Sequence, residues 1–131
     1  MSKQRKPIWQ PIGMLPTYAE MIDSNSADVE EHYAMLLEIR DHPHVIHRAS
    51  IASGIKLTIE RRDLLLVVKE QLTRWQSEPM TTSQRQELER LNGQLERLFN
   101  HITAFLGLSK QIAQVIKHGL ASERRGRSNA A

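Results

Sequence analysis

Apolar residues recur through the second half of the chain at helical spacing. Leu88, Leu91, Leu95, Leu98, Ile102 and Phe105 are separated by 3, 4, 3, 4 and 3 positions, which places all six on one seam of a helix. Phe99, Leu106 and Leu108 widen that seam, and Ile112, Val115 and Ile116 extend it. The positions beside it, Asn92, Gln94, Phe99, His101, Leu106 and Leu108, are neutral or apolar. A free two-stranded coiled coil carries Glu and Lys there. This helix is therefore expected to be covered on both sides. Thr81 with Gln84 and Ser83 with Gln86 are capping-box pairs at its start, and Gly119 is a stop after Lys117 and His118, giving a helix over 82–118. Gly107 lies inside it and is a point where it can bend.

Two earlier helices supply its partners. Leu15, Tyr18, Ile22, Val29, Tyr33 and Leu36 hold one phase and predict a helix over 17–40, with Thr17 and Glu20 as a capping box. The polar stretch 23–28 (DSNSAD) is poor in helix formers, but the preserved phase predicts one helix through Asn25 and Ser26, with room for a kink. Pro43, in the turn 41–44 (DHPH), ends it. A second helix over 45–76 carries Ile51, Ala52, Ile55 and Ile59, then Leu65, Val68, Leu72 and Trp75, with Gly54 as a weak point and Pro79 as its stop. The run Leu64–Val68 is apolar all round, so it is expected to touch neighbours on more than one side. Of the charged residues Glu60–Asp63 between its halves, Arg61 or Arg62 either stays in solvent or crosses to Glu89 or Glu96.

The ends differ from the middle. In residues 1–16, Pro7, Pro11 and Pro16 forbid a continuous helix, while Ile8, Trp9, Ile12, Met14 and Leu15 are too apolar for a free tail. An extended arm docking on the bundle is expected, with Trp9 as its largest anchor. Residues 120–131 have no periodicity and are expected to be a disordered basic tail. The fold class is therefore all-α: an antiparallel three-helix bundle of long helices with an extended N-terminal arm, one domain in 131 residues.

Charge sharpens the division. Lys3, Arg5 and Lys6 face no acid in residues 1–16, and Lys117, Arg124, Arg125 and Arg127 outweigh Glu123 at the other end. Each end is thus +3 within a net charge of +3, which leaves the body at −3. Basic ends on an acidic body argue against the body as a nucleic-acid surface. Arg124, Arg125 and Arg127 are the candidate phosphate contacts, sequence-blind because no aromatics interleave with them. The chain has no cysteine, which removes disulfides, thiolate zinc sites and cysteine nucleophiles. No apolar run is long enough for a membrane span, no apolar core follows the first basic residues, and a cytoplasmic protein is expected.

Candidate chemistry is sparse. His42, His44 and His47 cluster at the first turn, with His32 one helix away, and neutral imidazoles suit zinc or nickel. No Glu-x-x-His occurs, so a carboxylate di-metal site is not indicated, and His101 reads as a half-buried packing residue. Gly-rich phosphate loops and nucleophile elbows are missing from the sequence. The leading expectation is a non-enzymatic interaction protein without a cofactor, an adaptor or assembly component. It would pair with itself as a homodimer or with another helical protein through Trp9, Ile12, Leu65, Trp75, Phe99 and Leu106. A nucleic-acid accessory acting through the tails and a metal-binding protein using the histidines are the second and third readings.

Overall fold

The computed structural model describes residues 8–42 and 48–129, with the backbone alone at 48–49 and 119–129. A single 3-10 turn at Ile12–Met14 leads into three helices: α1 (Leu15–Asp41), α2 (Arg48–Trp75) and α3 (Thr82–Asn129). They form an antiparallel three-helix bundle in which α3 packs along both α1 and α2. Those two approach each other far less closely.

Local chemistry accounts for most of the boundaries. The chain is already turning at Ile12, and Pro16, in the first turn of α1, has its φ preset for a helix. Thr17 therefore sits inside α1 rather than capping it, and Met14 takes the N-cap position without a side-chain bond. α1 is one helix across the stretch 23–28, as the apolar phase predicts. There Asn25 donates from Nδ2 to the Met21 carbonyl at 2.8 Å, and Ser26 is buried. At the start of α3 the capping box closes in both directions. The Gln84 amide donates to Thr81 Oγ1 at 3.1 Å, and the Thr81 amide donates to Gln84 Oε1 at 2.9 Å.

α3 departs from the sequence expectation in length. It passes through Gly107 without a break and through Gly119 to Asn129, so residues 120–129, expected as a loose tail, are helical. A helical glycine costs only about 1 kcal/mol relative to alanine. The residues on either side of Gly119 are ordinary helix formers, and no proline follows to enforce a stop.

The core is a ladder of aliphatic residues. Ile22, Val29 and Leu36 of α1, Leu65, Val68 and Leu72 of α2, and Leu88 to Ile112 of α3 form one buried cluster. Full burial of each such side chain stabilises by roughly 1.5–3 kcal/mol. One end is closed by the arm. Trp75 is wholly buried, donates from Nε1 to the Gln10 carbonyl at 2.8 Å, and meets Tyr18 edge-on at 5.0 Å between ring centroids. The Gln10 amide in turn donates to Gln71 Oε1 at 2.6 Å. Outside the bundle, Arg90 of α3 pairs bidentately with Asp23 of α1 at 3.0–3.1 Å and donates from Nε to Glu87 at 2.6 Å. These two carboxylates raise the guanidinium pKa further above its ordinary value.

Candidate interaction surface

The residues that the sequence nominates for contacts divide sharply. Leu65 and Trp75 are fully enclosed by this chain's own elements, and Leu106 is buried in the same core. They are core, not contact surface. A wide apolar face looks like excess surface in the sequence, whereas the arm and the facing helices cover it. Trp9 and Ile12 are half-buried on the bundle, and the Arg74 guanidinium lies 4.1 Å from the Trp9 ring centroid. Phe99 is half-buried with Lys69 Nζ 5.9 Å from its centroid. The run Leu64–Val68 is not enclosed on all sides. Leu65 and Val68 point inward, while Leu64, Leu66 and Val67 remain exposed.

The surface that stands open is elsewhere, between α1 and α2. Asn25, Asp28, His32, Met35 and Ile39 form a line on α1 at spacings of 3, 4, 3 and 4, beside the buried line Ile22, Val29 and Leu36. Ser50, Ser53, Leu57, Glu60 and Leu64 form the same spacing on α2. Asp28 apart, these two lines border a trough of about 820 Å³, floored by Phe105 and Ser109 of α3. Small side chains cause the gap. Where α2 carries Leu65, Val68 and Leu72 nearer its end, it carries Gly54 and Thr58 here, and a Cβ on Gly54 would stand 3.7 Å from Phe105 Cζ. Met35, Leu57 and Leu64 are 54%, 63% and 53% exposed, an unusual concentration of bare aliphatic surface on one seam. Leu64 also borders a smaller hollow of about 200 Å³ with Ile8, Met21 and Val67, which carries the apolar strip toward the arm.

Acidic residues are concentrated on α1. α1 carries Glu20, Asp23, Asp28, Glu30, Glu31, Glu38 and Asp41 against one lysine or arginine, Arg40. Glu60 adds an exposed carboxylate from α2. Among the described residues, Arg61 is the one lysine or arginine lining the trough, and it is already engaged. It donates to Asn25 Oδ1 at 3.0 Å and lies 3.7 Å from Asp28. Arg61 thus crosses to α1 and not to Glu89 or Glu96 on α3, while Arg62 stays beside Asp63 at 3.9 Å on the surface. Seven positions beyond Gly54 on the same inward line, Arg61 reaches across because α1 offers an amide and a carboxylate there.

The remaining candidates do not converge on this seam. His44 and His47 lie outside the described residues. His42 ends α1, its amide donating to the Glu38 and Ile39 carbonyls, and His32 sits on the trough wall. Among the described residues no three His, Asp or Glu side chains come together as metal ligands. Arg124, Arg125 and Arg127 fall on the last turns of α3, with side chains outside the described residues. His101 is half-buried, and its Nδ1 has no hydrogen-bond partner among the described residues. No described helix is long and apolar enough to cross a membrane. Compared with protein-family models, curated proteins and solved structures, the chain finds no match in any of the three.

The trough residues were visible in the sequence only as a second heptad line beside each core line. Nothing in the pattern says which of two adjacent lines will be covered. That depends on how far apart α1 and α2 stand.

Proposed function

We propose that this chain is a non-enzymatic helical-bundle interaction protein, an adaptor or assembly component, that docks its partner along the seam between α1 and α2. The observation that carries this reading is the bare aliphatic strip of Met35, Leu57 and Leu64 bordering an 820 Å³ trough. Exposed apolar surface of that kind, rimmed by polar residues, is what protein interaction sites present. The helices on either side are anchored to α3 by a continuous core, so the surface is preformed and need not fold on binding. The partner is a helical protein or a second copy of this chain.

A photo-reactive amino acid at position 57, with one at the exposed Ala104 of α3 as control, tests the reading in cells that make the protein. A discrete adduct from position 57 and none from position 104 is expected. Equal adducts from both, or none from position 57, would remove the reading. The mass of the adduct and sedimentation at micromolar concentration separate a second copy from another protein.

A further inference from the structure

We propose that the floor of the trough binds a free, uncharged aliphatic small molecule bearing a hydrogen-bonding group, a long-chain alcohol being the simplest of the class. This goes beyond the docking reading. Docking uses the exposed rim of Met35, Leu57 and Leu64, whereas the ligand lies on the buried side chains beneath it.

Two buried hydroxyls carry the proposal. Ser109 is 1% exposed and Thr58 8%, and both line the trough. Elsewhere on the same helices, Thr73 and Thr103 turn their hydroxyls back to the carbonyl four residues earlier, each at 3.0 Å. Neither Ser109 nor Thr58 has a hydrogen-bond partner among the described residues. A hydroxyl both donates and accepts and can rotate to suit its partner. Sequestered and unmatched, it costs free energy that a ligand's polar group recovers. Around these two the floor is apolar, with Leu36, Ile51 and Phe105 each less than a tenth exposed. Small-molecule sites have this make-up, apolar walls with a few placed polar groups, and the volume of about 820 Å³ falls within their range. The wall from Asn25 to Ile39 runs about 20 Å at the helical rise. Such a length suits an extended chain.

Charge in the trough is balanced. The lining holds one carboxylate, Glu60, and one guanidinium, Arg61, which Asn25 and Asp28 already engage. Neither sign prevails, and the floor residues Leu36, Ile51, Thr58, Phe105 and Ser109 are all uncharged. A carboxylate or an ammonium laid on that floor would give up its hydration without an opposite charge to meet it. The floor therefore favours a neutral head group over fatty acids and alkylammonium ions.

The test titrates the full chain with Nile red, an uncharged apolar dye, and displaces it with dodecanol, dodecanoate or dodecylammonium below their micelle-forming concentrations. Dodecanol is expected to displace the dye at least about tenfold more tightly than either ion. Thr58→Val with Ser109→Ala should weaken dodecanol about fivefold, the equivalent of one net hydrogen bond. The same change should leave the melting temperature level or higher, because apolar groups replace unmatched hydroxyls. A diazirine-bearing dodecanol, irradiated in the complex, should leave its adduct within residues 51–58 or 105–109. Failure of dodecanol to displace the dye, equal or tighter binding of either ion, or an affinity unmoved in the double variant would overturn the proposal. So would adducts confined to other parts of the chain, or flotation with phosphatidylcholine vesicles without binding of free dodecanol. The photo-reactive residue at position 57 reports on the rim and this titration on the floor, so either reading can fail while the other stands.

Discussion

Trp75 and Trp9 belong to one small assembly at the end of the bundle, yet they do different work. Trp75 is wholly enclosed, its indole N–H satisfied by the Gln10 carbonyl and its ring edge-on to Tyr18. Trp9 lies over the surface beneath Arg74 and stays partly in water. Trp75→Ala is expected to cost about 3–5 kcal/mol through the lost burial and the cavity left behind. Trp9→Ala should cost about 1 kcal/mol or less, since a stacked cation at an exposed site contributes little. Urea denaturation followed by circular dichroism reads both. His101 is the opposite case, a polar side chain in the packing whose buried Nδ1 has no partner among the described residues. Replacing it by Leu should raise stability by about 1 kcal/mol, because an unsatisfied buried acceptor costs more than an apolar group in its place. A rise in melting temperature would show it, and a fall would mean that His101 has a partner in solution.

The three helices are held at their ends by different devices, and these can be tested one by one. α3 starts on a reciprocal capping box, so Thr81→Ala should cost about 1 kcal/mol. Gly107 is exposed in the interior of the same helix, and a Cβ there would meet nothing within 4 Å. Gly107→Ala should therefore stabilise by close to 1 kcal/mol, the backbone entropy that glycine carries into a helix. Equilibrium unfolding of the two variants beside wild type gives shifts of opposite sign. α1 has no side-chain cap at its start and instead uses Pro16 and the preceding turn. That accounts for its beginning two residues before the point the Thr17–Glu20 pattern suggests.

At the scale of the whole molecule, stability and surface are carried by neighbouring but separate lines of side chains. Leu65 and Leu64 are adjacent in sequence and turned about 100° apart on a helix of 3.6 residues per turn. One is completely buried and the other half exposed. Leu57→Asn with Leu64→Asn should change unfolding free energy by no more than about 0.5 kcal/mol per site, as expected of surface positions. Leu65→Asn should lose several kcal/mol by burying an amide without a partner. Melting curves of these variants show whether the trough is surface or hidden core. If the Leu57 and Leu64 change melts the bundle early, those residues belong to the core and the docking seam does not exist.

Much of the architecture was legible in the order of residues. The seam from Leu88 to Phe105 required a long helix, the prolines near residues 7–16 required an arm, and Pro43 and Pro79 separated three helices. These are short-range matters, in which spacing of 3 and 4 and the absence of an amide hydrogen on proline act within a turn or two. The end of α3 was not legible, because one glycine without a following proline leaves helix and coil close in free energy. The contact residues were not legible either. Leu65 and Leu106 carry the same apolar side chain as Leu57 and Leu64, and sequence gives them the same claim to a partner. Only the placement of α1 and α2, both drawn onto α3 and held apart from each other, decided which leucines were covered. That separation is set by side-chain volumes meeting across three helices, Gly54 over Phe105 among them, and no single helix carries that information.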